Sequence, residues 1–138
     1  MDSVTAQMNI IINHYRDLLL RLLVVPQVPF DKNLHGTLPH KGGVYRVFES
    51  GADWKNSVYV GKSGDLQNRL YNDLLMGNLS SHPLKKKLIK TGRFADAVAV
   101  KQYLRDKCVA QFLLIAADNE RTLFEHFAIA VLRPDFND

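Results

Sequence analysis

From residue 4 to residue 23 the apolar positions follow a helical rhythm. Met8, Ile11, Ile12, Tyr15, Leu18, Leu19, Leu22 and Leu23 recur on one side, with Asn13, Arg16, Asp17 and Arg21 on the other, which predicts an amphipathic helix. Such a stripe packs on its own domain or forms a dimer seam, and the heptad pattern is too short to require the second. Pro26 and Pro29 stop the helix, and a linker with turns at Gly36 and Pro39 is expected to run to about His40. Residues 44–49 and 57–61 then read as two strands of a hairpin, with Ser50-Gly51-Ala52-Asp53 supplying the turn. A register centred near Ala52 places Tyr45 and Tyr59 on the same face.

The period then returns to helical. Leu66, Leu70 and Leu74 form the buried line of a helix over 65–75, with Ser63 or Asp65 as its N-cap. A second helix covers 83–90, ends at Gly92 and carries Lys85, Lys86, Lys87 and Lys90. Residues 95–107 favour a helix through Ala97, Val100 and Leu104, although 97–100 also fits a strand. Residues 109–115 read as a buried strand. Asp118 or Asn119 then caps a last helix over 120–132, which Pro134 ends.

Composition narrows the classes. A chain of 138 residues, 46% of them hydrophobic, suits one domain with a modest core. The single cysteine, Cys108, excludes an internal disulfide and a thiolate metal cage, and its apolar surroundings predict a buried small hydrophobe. A net charge of +4 permits a polyanionic partner without identifying one. No signal-peptide pattern and no apolar run of membrane-spanning length are seen, so a cytoplasmic protein without a membrane partner is expected.

Several residues stand out chemically. Glu125 interrupts an apolar helix, with Ala128, Ile129 and Leu132 sharing its side. A carboxylate so placed needs a basic group or a metal ion beside it, and Arg121, one turn earlier, is the simplest ion-pair partner. His126 lies with Thr122 and Arg133 on the more polar face and is expected to meet solvent. Arg69 either pairs with Asp73, four residues on, or clamps a phosphate with its planar fork. Lys62 follows Gly61 at a strand-to-helix turn, where basic groups and free amides receive phosphate, but Gly61-Lys62-Ser63 is not a Walker loop. Tyr45 and Tyr59 taken singly are packing residues; a phenol acts as a base only beside positive charge.

Taken in order, these segments resemble the GIY-YIG nuclease family. Gly43-Val44-Tyr45 on one strand is followed by Tyr59-Val60-Gly61-Lys62 on the next, then by Leu66 and Arg69, with Glu125 on a late helix and Asn137 after Pro134 and Phe136. The run from Leu38 to Tyr45 is similar to the opening of the nuclease domain of the bacterial excision-repair incision subunit. The resemblance covers 38–138, leaving 1–37 as an N-terminal helix and linker. It implies an α/β (α+β) fold, a small central three-stranded sheet flanked by helices, with the N-terminal amphipathic helix as an addition.

The resemblance also implies an activity: a metal-dependent endonuclease that hydrolyses phosphodiester bonds, with DNA the expected nucleic acid. In that reading Glu125 holds one Mg²⁺ or Mn²⁺, Tyr59 is the general base and Tyr45 its helper. Arg69 and Lys62 stabilise charge at phosphorus, Gly61 and Asn137 support the site, and Lys85, Lys86, Lys87 and Lys90 attract the backbone. Some family members carry a histidine one turn after the arginine, where this chain has Asp73. The rival reading is a non-catalytic nucleic-acid-binding module of the same fold. A two-metal carboxylate nuclease is disfavoured, because no close acidic cluster accompanies Glu125.

Overall fold

The computed structural model describes residues 2–137. Its centre is an antiparallel sheet of β1 (Val28–Pro29), β2 (Gly43–Glu49), β3 (Tyr59–Ser63) and β4 (Cys108–Leu114), in the order β1-β4-β2-β3. The sheet therefore has four strands, not three. The extra strand lies in the segment expected as linker. Proline has no N–H to donate, so Pro29 is confined to an edge, and the pairing ends after two residues. The same segment adds a short helix, α2 (Leu34–Thr37), and places Phe30, Leu34 and Leu38 in the core.

Helices cover both faces of the sheet. Tyr45, Val47 and Ala110 pack with Leu66, Leu70 and Leu74 of a helical segment, and with Leu84, Leu88, Val100 and Leu104 of α3 (Pro83–Lys90) and α4 (Ala97–Lys107). Of residues 95–107, Ala97–Lys107 are helical, as their three-and-four spacing favoured, with Asp96 as the N-cap. Val44, Val60 and Leu113 face the other way, against α1 (Ser3–Val24) and α5 (Asp118–Leu132). Two-residue alternation along β2 feeds both cores.

Local chemistry moves some boundaries. The helical segment after β3 widens to π hydrogen bonding over Asn68–Leu75, where the Met76 N–H reaches back to the Tyr71 carbonyl. The Asp65 carboxylate accepts the Asn68 N–H at 3.0 Å and closes the start of this segment. By contrast, neither Asp118 nor Asn119 caps α5. The helix already begins at Asp118, with Ala117 in the cap position, and Asp118 and Glu120 instead place negative charge in its first turn. The hairpin register centres near Asp53, because Gly51 turns at φ 81° and Tyr45 pairs with Gly61 while Val47 pairs with Tyr59. A pairing shift of two residues keeps both tyrosines on one face.

Helix α1 packs along only part of its length. Leu19 and Leu22 are buried and Tyr15 meets Phe127 of α5, whereas Met8, Ile11 and Ile12 remain 44–59% exposed. Gln111 donates to the Leu23 and Val25 carbonyls and accepts from buried Arg46, which fastens the helix's C-terminal end to the sheet. No helix among the described residues is long and apolar enough to cross a membrane.

Candidate active site

The strand at the open edge of the sheet, β3, organises the site. Tyr59 projects to the face of the π-helix and α3, and Tyr45 projects beside it from β2, with ring centroids 6.3 Å apart. The Tyr45 ring lies directly over Gly61: a Cβ there would stand 2.6 Å from the Tyr45 Cζ. Glycine at 61 therefore makes room for the first tyrosine.

Tyr45 is only 1% exposed. Burial, reinforced by neighbouring Tyr59, pushes its phenol well above the usual range, so it keeps its proton. Its hydroxyl meets Nε2 of His82 at 2.8 Å. His82 occupies the N-cap of α3, where its Nδ1 accepts the Leu84 N–H at 3.1 Å. A nitrogen that accepts a backbone N–H carries no proton. The ring proton of the neutral imidazole is therefore on Nε2, which donates to Tyr45. Burial, followed by the charges of Arg69, Lys85 and Lys87, pushes this imidazole down to about 3 and keeps it neutral. Tyr59 packs edge-on against the same ring, 5.1 Å between centroids.

Sequence reading missed His82. Pro83 marked the helix start, but the usual capping oxygens of Ser80 and Ser81 stood next to it, and a histidine is a less familiar cap.

Arg69 sits behind the tyrosine pair. Its Nη1 donates to Asp73 at 3.1 Å and to the Ser81 carbonyl at 3.1 Å, and the guanidinium interacts with the Tyr45 hydroxyl. The pair with Asp73 exists, but it is about seven-tenths buried and serves to hold the fork against Tyr45.

Lys62 and Glu125 lie on the other side of β3. Lys62 is within the strand rather than beyond it, and its Nζ donates to Thr122 of α5 at 2.8 Å. Glu125 does not pair with Arg121, whose guanidinium is spent on the Ile115 and Ala116 carbonyls and on Asp118. The Glu125 side chain is 15% exposed. Burial raises its pKa, opposed by nearby Lys62 and His126. His126 is largely in solvent, as its helical position predicted, yet its ring stands 4.0 Å from the Glu125 carboxylate.

The two sides meet at a cleft of about 420 Å³ lined by Tyr59, Lys87, Glu125, His126, Ile129 and Asn137. Asn137 closes its floor. Its carboxamide accepts the Val60 N–H at 2.8 Å and donates to the Val60 carbonyl at 2.7 Å, acting as one more rung on the free edge of β3.

The basic face is smaller than the lysine count suggested. Lys85 is fully buried and donates to the Gly77 carbonyl. It flanks the buried Leu84–Leu88 line one turn apart, so the helix turns it inward. Lys87 donates to the Phe136 carbonyl at 2.9 Å beside the cleft. Lys86 and Lys90 point to solvent.

The donor set fits a divalent ion. Glu125 offers a mostly buried carboxylate with no arginine partner at the wall of an open cleft, the setting in which a hard cation with waters and phosphate oxygens completes the coordination. Among the described residues no cluster of three or more acidic, histidine or cysteine side chains could hold a metal without such help.

Comparison with solved structures bears on the fold. The chain superposes on the GIY-YIG N-terminal endonuclease domain of UvrC from Thermotoga maritima, in a tyrosine-to-phenylalanine point mutant bound to its catalytic divalent cation. The TM-score is 0.51 at 20% identity, over 78% of this chain and 98% of that one. The fold is that of a GIY-YIG nuclease domain. The magnesium-bound form of the same Thermotoga maritima domain covers 78% of this chain and 99% of its own, at 20% identity and a TM-score of 0.49. No family model and no curated protein matches the chain.

Proposed function

We propose that this chain is a metal-dependent endonuclease of the GIY-YIG type that hydrolyses nucleic-acid phosphodiesters, with DNA as its substrate. The observation that carries the reading is the convergence of Tyr59 and Glu125 on one cleft, from opposite faces of the edge strand, with Lys62 and Lys87 beside them. The residues number few enough that chemistry must come from placement and charge rather than from a carboxylate cluster.

Glu125 is the proposed ligand for one divalent ion, Mg²⁺ or Mn²⁺. When bound there, such an ion supplies Lewis-acid stabilisation of the phosphate and the leaving oxygen. Tyr59, half-buried at the cleft wall beside Lys87, takes the proton of the attacking water as its phenolate and becomes the neutral phenol. Tyr45 assists as a protonated phenol: burial keeps it from serving as the base, and His82 and Arg69 both donate towards its oxygen, so its own proton turns elsewhere. Arg69 and Lys62 stabilise negative charge developing at phosphorus. Asn137 holds the C-terminal segment against β3, and Lys86 and Lys90 offer the exposed charge for the backbone.

The test is incubation of the purified chain with labelled single- and double-stranded DNA and RNA, in Mg²⁺, Mn²⁺ or chelator. Cleavage of DNA that chelator stops supports the proposal. Salt-sensitive binding with no turnover under any metal would replace it with a nucleic-acid-binding module of the same fold.

A further inference from the structure

Helix α1 carries two apolar patches that its own domain leaves uncovered. The first is the N-terminal overhang, where Val4, Met8, Ile11 and Ile12 are 44–66% exposed. They continue the same stripe that Leu19 and Leu22 bury further along. The second is a cleft of about 390 Å³, almost wholly apolar, formed by Arg16, Leu19, Leu20, Leu23, Trp54 and Val131. Leu20 and Trp54 in it are 54% and 50% exposed.

Met8 and Ile12 of the first patch share a flank with the second. At 3.6 residues per turn, Met8, Ile12, Leu23 and Leu20 fall within about 120° of the helix circumference, and the patch centres are about 18 Å apart along the axis. We propose that this flank is the contact between two copies of the chain, α1 lying antiparallel to α1, with each overhang seated in the other's cleft. In a two-fold interface residue i meets j while j meets i, so two unlike patches on one helix satisfy each other twice.

Two observations favour a second copy over another occupant. First, area suffices. At roughly 100 Å² for each exposed large side chain, the two patches amount to about 700–800 Å² per copy, close to the ~800 Å² that a partner gives to a standard interface. Second, residues 3–13 contain no Asp, Glu, Lys or Arg, and their polar positions are Ser, Thr, Gln and Asn. Interface cores are depleted of charge in this way. A membrane-surface helix would instead present Lys and Arg on its polar side.

The proposal does not rest on the nuclease reading. It is tested by sedimentation or light-scattering mass of the full chain from about 1 to 200 µM, a span that brackets micromolar affinity. A mass that doubles with concentration is expected. An overhang variant, Met8→Lys with Ile12→Lys, and a cleft variant, Leu20→Glu with Trp54→Glu, should each stay monomeric, with unchanged circular dichroism confirming the fold. Mixed in equal amounts, the two should form a heterodimer, because one half of the contact becomes Lys–Glu and the other remains apolar. A wild-type chain that stays monomeric throughout, including one that floats with anionic vesicles, overturns the proposal. So does a dimer that either double variant leaves intact.

Discussion

Replacing His82 separates its two hydrogen bonds, because asparagine and glutamine each imitate one ring nitrogen. His82→Asn keeps an acceptor where Nδ1 receives the Leu84 N–H at 3.1 Å, and removes the donor at Nε2. His82→Gln extends a donor towards Tyr45, 2.8 Å from Nε2, and gives up the cap. In the Asn variant the buried Tyr45 hydroxyl loses a partner, which costs about 1–3 kcal/mol. If that penalty falls on the orientation needed in the transition state, the rate drops roughly 5- to 150-fold. Losing the cap in the Gln variant costs about 1 kcal/mol of stability. Single-turnover cleavage at saturating substrate is the assay, with thermal unfolding alongside. The expected pattern is a stable, slow Asn variant with unchanged KM, and a less stable Gln variant that keeps most of its rate. If Asn retains the full rate while Gln loses it, His82 is a helix cap and nothing more.

Other outcomes follow from the same geometry. Glu125→Gln, and chelation of the wild type, should each lower cleavage by orders of magnitude with the fold intact; a rate above about a tenth of wild type in the variant removes the one-ligand assignment. Tyr59→Phe should abolish turnover while substrate binding survives, whereas Tyr45→Phe should slow it less; the reverse ranking in single-turnover assays exchanges the two roles. His82 is neutral in the fold down to about pH 3 but protonates near pH 6.5 when unfolded, so the unfolded state binds the extra proton between those values. Stability should therefore fall as pH drops below about 6.5, by up to about 1.4 kcal/mol per unit, and His82→Asn should flatten that slope in denaturant titrations. Lys86→Ala with Lys90→Ala should weaken DNA binding and reduce its salt dependence, while Lys85→Ala should instead lower the unfolding midpoint, because Lys85 is buried.

Local patterns exposed most of this fold. The leucines at 66, 70 and 74 and the strand-like run over residues 44–49 report directly on burial, and the helix and the strand expected from them are present. What escaped depends on contacts between distant segments. β1 exists only because Val28 and Pro29 meet Ala110 and Val109, about 80 residues away, and two residues carry no period. Lys85 looked like one of four solvated lysines until the orientation of α3 against the core turned it inward. For the candidate site, the tyrosines, Arg69 and Glu125 were singled out because they stand in an ordered motif. His82 was not, since its partner Tyr45 lies 37 positions earlier and nothing local ties the two.

The arrangement of partners divides the site by rigidity, and that division explains how so few residues can work together. Tyr45, His82, Arg69 and Asp73 are linked through hydrogen bonds or ion pairs and are largely buried, so their orientations are fixed before substrate arrives. Tyr59, Glu125, Lys87 and Asn137 border the open cleft, where water, a cation and a phosphate have space. Asp73 belongs to the fixed half: it takes one arm of Arg69, while His82 reaches Tyr45 from α3. Charge developing at phosphorus would then meet groups that need no reorganisation, which is where preorganised electrostatics contributes most.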